Sequence, residues 1–218
     1  MNSFFKTKKV LIEKEILKSI NFQNQYSRSE YPWSEDALKR LQEYAVSGKM
    51  IRGLLVVLAA GGGSKQVKDN AVKIGSALEL MHSGILIHDD IMDRDLLRRG
   101  HPTIHAQYST LSKMNNKSES LHYGESMASC VGIVSYFLAM SQFSKITSGS
   151  KLQSLIKLFS SEMFVLGLGQ MEDIDTAESK RHNVSLEEKF LLTALRNRRF
   201  AMIGDQKKHQ DDDEEENN

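Results

Sequence analysis

The chain has 218 residues, 40% of them hydrophobic and 26% charged, enough to bury one core in one domain. Its 29 Lys and Arg against 28 Asp and Glu leave a net charge of +1, and with 7% aromatic residues it lacks the basic stripe interleaved with stacking rings that a nucleic-acid partner needs. The lone Cys130 excludes an internal disulfide and points to a reducing, cytoplasmic setting, with a packing role expected where it sits on an apolar helix face.

Helical periodicity runs almost throughout, with two prolines (Pro32 and Pro102) and no alternating β-branched run, so the sequence predicts an all-α fold. A first helix is expected near residues 6–20; lysines and acids break its apolar positions, so neither a signal peptide nor a transmembrane segment is expected. Helices near 34–46 and 50–61 follow. Between them lies Ser47-Gly48-Lys49-Met50-Ile51-Arg52-Gly53, in which Lys49 and Arg52, spaced i,i+3, project from a helix start whose free N–H groups and dipole already favour an anion. The run Gly61-Gly62-Gly63-Ser64 reads as a turn, not a phosphate loop, because no strand precedes it.

The next helix, near 68–93, carries the most informative segment. The apolar run from Leu78 to Ile87 ends directly in His88-Asp89-Asp90-Ile91-Met92-Asp93, followed by Arg98-Arg99-Gly100. At about 100° per residue, Asp89 and Asp93 lie roughly 40° apart on a helix, so their carboxylates can share a hard cation such as Mg²⁺. His82 falls within about 20° of Asp89 on the same projection. Burying unpaired carboxylates there would cost several kcal/mol, so Asp89 and Asp90 call for a cation or an arginine partner. A polar loop over 109–120 leads to helices near 119–146 and 150–176, the second carrying Gln170 and Asp173 at i,i+3, and to a last helix near 185–201. The helical domain is expected to occupy 1–203. The charged tail, 204–218, includes the six acids Asp211 to Glu216; without those six, 29 Lys and Arg stand against 22 acids, a basic surplus.

The segment from Glu79 to Asp93 followed by Leu97-Arg98-Arg99-Gly100-His101-Pro102-Thr103 resembles the first aspartate-rich motif of the trans-isoprenyl (polyprenyl) diphosphate synthases. Ser47 to Gly53 resembles their G-K-x-x-R-P signature, with Gly53 where proline is usual, and Gly169-Gln170-Met171-Glu172-Asp173 resembles their G-Q-x-x-D element. The resemblance implies an isoprenoid-synthase-type helical bundle and a Mg²⁺-dependent prenyltransferase that condenses isopentenyl diphosphate with an allylic prenyl diphosphate. On that basis Asp89, Asp90 and Asp93 would bind Mg²⁺, with Asp89, Asp93 and Arg98 carrying the chemistry. Arg98 would grip the allylic diphosphate, and Lys49, Arg52, His82 and Arg99 the isopentenyl diphosphate, with Gln170 and Asp173 as further substrate contacts.

By the same resemblance the growing tail would run back along the aspartate helix past Ser83, Gly84 and Ile85 toward Met81. Short-chain members block this place with an aromatic; small residues here imply a product of about twenty carbons or more, since a roomier apolar pocket admits a longer tail. The resemblance covers about the first 185 residues: the family's K-T pair and second D-D-x-x-D motif have no counterpart, and the bundle is expected to lack its C-terminal helices. The acidic tail is no substitute, since a like-charged run without apolar neighbours stays solvated. The alternative is an inactive remnant or non-catalytic subunit that joins a full-length synthase, and uncovered apolar surface would favour a homodimer or hetero-oligomer.

Overall fold

A computed structural model describes residues 3–27, 31–146 and 149–178. Its elements are α1 (Ser3–Ser27), α2 (Ser34–Val46), α3 (Ile51–Ala59), α4 (Lys65–Met92), β1 (Leu97–Arg98), β2 (His101–Pro102), α5 (Ile104–Ser109), α6 (Lys117–Phe143) and α7 (Gly149–Glu178). The predicted helix near 185–201 and the tail lie outside the described residues. The chain divides into two units, Met1–Ile146 and Thr147–Asn218, and α7 belongs to the second.

In the first unit α4 is the axis, packed by α1, α3 and α6. From Gly75 to Asp90 it is buried nearly all round, as its continuous apolar run demands. Around it Ile12, Ile16 and Ile20 of α1, Leu38 and Leu41 of α2, Leu54 and Val57 of α3, and Val131, Leu138 and Phe143 of α6 complete the core. A buried bond from Ser135 Oγ to the Leu80 carbonyl, 2.6 Å long, pins α6 to the middle of α4. The helix starts obey local chemistry: Ser64 accepts from the Val67 N–H at the head of α4, and Asn116 accepts from the Ser118 N–H at the head of α6.

Two elements differ from the sequence reading. Residues 97–102 form a two-residue hairpin, Leu97 opposite Pro102 and Arg98 opposite His101, and α5 is a six-residue helix, too short to show a helical period. By length and composition α6 is apolar enough to cross a membrane, but Ala128, Val131, Ser135, Leu138 and Ala139 are buried within this unit, as in a core helix. Its outer side exposes Ile133, Val134 and Phe137.

Candidate active site

The end of α4 sets the first half of the site. Helical register persists through Asp93, whose N–H donates to the Asp89 carbonyl at 2.8 Å, so Asp89 and Asp93 stand one turn apart on one side. Asp89 is nearly buried and Asp93 exposed. The chain then reverses sharply. The Asp95 N–H donates to the Asp90 carbonyl and the Arg94 N–H to that of Ile91, the two bonds of a Schellman cap, with Arg94 at φ 56° where glycine is usual. The hairpin turn repeats the device, with Arg99 at φ 55° before Gly100 at φ 81°. Met50, just before α3, is the third non-glycine residue with positive φ among the described residues. All three lie in segments that carry candidate site residues, where stored backbone strain commonly concentrates.

Asp90 faces inward, only 1% exposed. Tyr44 Oη donates to its Oδ2 at 2.8 Å, and Arg98 Nε bonds its Oδ1. This supplies the arginine partner that a buried carboxylate requires. Burial pushes the Asp90 carboxyl upward against the pull of its two donors. Both Asp90 oxygens thus have a protein donor, which places Asp90 directly behind Arg98. Arg98 Nη2 also lies 3.6 Å from Asp95 Oδ2, and the side chain stays one-quarter exposed.

The second half is the loop between α2 and α3. Arg99 Nη1 donates to Ser47 Oγ at 3.0 Å, and its guanidinium lies over Gly48, where an added Cβ would come within 3.0 Å of Nη1. The hairpin thus meets the basic loop across more than fifty residues of sequence. Lys49 is exposed and Arg52 half-buried; burial pulls the Arg52 guanidinium downward, opposed by the Glu79 carboxylate. Glu79, 5% exposed, accepts the Gly53 N–H at 2.8 Å. A proline at 53 would lack that donor, and a Cβ there would come within 2.9 Å of the Gly75 carbonyl of α4, so the departure at Gly53 has a local physical reason. His82 lies half-buried on α4, one turn beyond Glu79.

Burial raises the Glu79 carboxyl above its ordinary 4.5. A raised carboxyl contributes its stability below the unfolded pKa and loses it as pH rises through the folded one. We therefore expect the melting temperature of Glu79→Gln to fall less than that of the native chain as pH rises above about 4.5. Parallel curves from thermal melts across that range would contradict this.

The stretch expected to line a tunnel is packed. Met81, Ser83 and Ile85 are buried, and Ser83 Oγ donates to the Glu79 carbonyl. The space beside Gly84 holds Tyr136 of α6: a Cβ there would stand 2.5 Å from the Tyr136 ring and 2.9 Å from the Gly132 carbonyl. Tyr136 stacks on His88 with centroids 5.4 Å apart, and His88 Nδ1 lies 3.1 Å from its hydroxyl. Burial pushes that hydroxyl up to about 12. Gln170 and Asp173 stand almost one turn apart on α7, in the second unit.

Tyr44, Ser47, Glu79 and Tyr136 were not among the predicted site residues. Only Glu79 gave a signal, as a lone acid within an apolar helix. Among the described residues no three His, Cys, Asp or Glu side chains cluster as a metal cage. The Asp89 and Asp93 pair still fits Mg²⁺, which typically takes one or two carboxylates and completes its shell with water and substrate phosphate.

Residues 35–197 match the model of a family described as polyprenyl synthetase. The chain is 29% identical over 166 residues to a geranylgeranyl diphosphate synthase of Saccharolobus solfataricus, covering 73% of this chain and 44% of that protein. It is 38% identical over 110 residues to heptaprenyl diphosphate synthase component 2 of Geobacillus stearothermophilus, covering 50% and 31%. The crystal structure of geranylgeranyl pyrophosphate synthase from Corynebacterium glutamicum, complexed with isoprenyl diphosphate and magnesium, superposes with a TM-score of 0.71 at 22% identity, over 83% of this chain and 52% of that one. The chain spans less than half the length of these two curated relatives.

Proposed function

Since the chain belongs to the polyprenyl synthetase family, we propose that it is a prenyltransferase, joining isopentenyl diphosphate to an allylic prenyl diphosphate with Mg²⁺. The observation that carries this reading is the meeting of two diphosphate-binding groups on one platform, with Asp89 and Asp93 at the end of α4, Arg98 on β1 behind them, and Arg99 laid against the Ser47–Arg52 loop.

Asp89 and Asp93 present oxygens to the cation of the allylic diphosphate. Mg²⁺, when bound, supplies positive charge to the diphosphate oxygens as the C–O bond breaks. Arg98 adds its guanidinium to the same anion. Lys49, Arg52 and Arg99, with His82 on α4, hold the second diphosphate so that the isopentenyl double bond meets the allylic cation. The proton then lost passes to the departing diphosphate, and no side-chain nucleophile is required. Gln170 and Asp173 enter only through the likeness of Gly169 to Asp173 to the family's G-Q-x-x-D element, as substrate-contact candidates within the second unit. We place the product at about twenty carbons or more, in keeping with the geranylgeranyl diphosphate synthase it resembles and with the small Ser83 and Gly84 on α4. The chain acts in the cytoplasm.

The similarity to a protein named as one component of a synthase favours a second reading, a subunit that works with another chain, and the exposed Ile133, Val134 and Phe137 give it an apolar face to share. Incubation with labelled isopentenyl diphosphate, an allylic diphosphate and Mg²⁺, followed by chromatography of extracted products, separates the two. Elongated product that vanishes in Asp89→Ala supports the first reading. Product formed only after mixing with a second synthase chain supports the other, and a folded chain that neither makes product nor binds diphosphate rules out both.

A further inference from the structure

Arg98 and Arg99 are adjacent in sequence, yet their protein partners converge on one residue outside the motif, Tyr44. Its hydroxyl donates to Asp90 Oδ2 at 2.8 Å, and Asp90 Oδ1 holds Arg98 Nε. Its carbonyl accepts from Ser47 Oγ at 2.8 Å, and Ser47 Oγ accepts in turn from Arg99 Nη1 at 3.0 Å. We propose that the Tyr44 side chain is a positioning residue for the diphosphate-binding Arg98, acting through Asp90, while its backbone carbonyl braces Ser47 beside Arg99.

The proposal rests on the prenyltransferase reading and deepens it. The geometry suits the role. Leu41 and Ala45 bury the core side of α2 on either side of Tyr44, so the ring is anchored on a rigid helix rather than on a loop. Asp90 lies about 100° round the helix from Asp89, turned away from the carboxylate pair, which leaves it available as a support for Arg98. A guanidinium held by Nε and still one-quarter exposed keeps its fork oriented before the anion arrives, so less freedom is lost on binding.

The test uses the full chain and Mg²⁺ with inorganic diphosphate, titrated calorimetrically. Tyr44→Phe removes only the hydroxyl and is expected to weaken binding about three- to tenfold, the range for one lost hydrogen bond. Asp90→Asn keeps the side-chain shape and should give a comparable loss, so the proposal stays testable if the tyrosine variant folds poorly. A purely structural role is separated by a double-mutant cycle: on an Arg98→Ala background, Tyr44→Phe should cost no further affinity. Native-like binding by both Tyr44→Phe and Asp90→Asn, or a tyrosine effect that persists in full without Arg98, overturns the proposal. If the native chain itself binds no Mg²⁺–diphosphate, the functional reading fails first and this proposal with it.

Discussion

On the prenyltransferase reading, Asp89→Ala is expected to lose about 100-fold in affinity for Mg²⁺–diphosphate while keeping its fold, and Asp93→Ala to behave alike. The size of the effect follows from how little protein coordination the site offers. Two carboxylates one turn apart make a clamp and not a cage, so most of the cation's shell must come from water and from the diphosphate. Removing either oxygen donor removes half of what the protein contributes. The same reasoning predicts mutual dependence: Mg²⁺ alone should bind weakly, and each ligand should tighten the other by the same factor, as linkage requires. Stability should hardly change, because losing a nearly buried carboxylate beside Asp90 also removes a like charge. Calorimetry of Mg²⁺, of diphosphate and of both together checks every part; tight Mg²⁺ binding that survives Asp89→Ala would place the metal elsewhere.

Gly84→Phe should destabilise the chain by about 3 kcal/mol or more, at or above the upper end of ordinary overpacking. A Cβ alone at this position would meet the Tyr136 ring at 2.5 Å and the Gly132 carbonyl at 2.9 Å, and the carbonyl belongs to a packed helix that cannot step aside. Removing the obstructing ring should recover part of the loss, so Tyr136→Ala is expected to be destabilising alone yet rescuing in the Gly84→Phe background. Thermal or denaturant melts of the two single variants and the double variant measure this directly. Independent, additive losses would show that the two side chains do not compete for one space.

The helices were legible because each carries its own signal. The apolar run of α4 predicted a buried axial helix, and the predicted ranges for 34–46, 50–61, 68–93 and 119–146 overlay α2, α3, α4 and α6 to within a few residues. The hairpin and α5 were not legible: two-residue strands show no alternation, and the tight turns at Arg94 and Arg99 use arginine where turn chemistry would announce glycine. In the site, chemistry that sits together in sequence was readable, including the acidic pair and the demand of a buried carboxylate for a partner. Contacts spanning 46 and 52 residues were not, so neither Tyr44 nor Ser47 stood out. The neighbour beside Gly84 was not legible, because a helix projection shows what a position lacks and not what a neighbouring helix puts there.

Glu79, where the start of α3 is bonded, and Asp89, where the acidic pair begins, lie on one unbroken helix. That makes α4 a ruler. At about 1.5 Å of rise and 100° of turn per residue, the offset between the basic and acidic halves is set by a count of residues and not by the packing of loops. It can change only in whole steps, and a single inserted residue would swing the acidic pair by more than a quarter turn relative to the basic loop. Sequence drift elsewhere in the bundle is tolerable in a way that a length change in this one stretch is not.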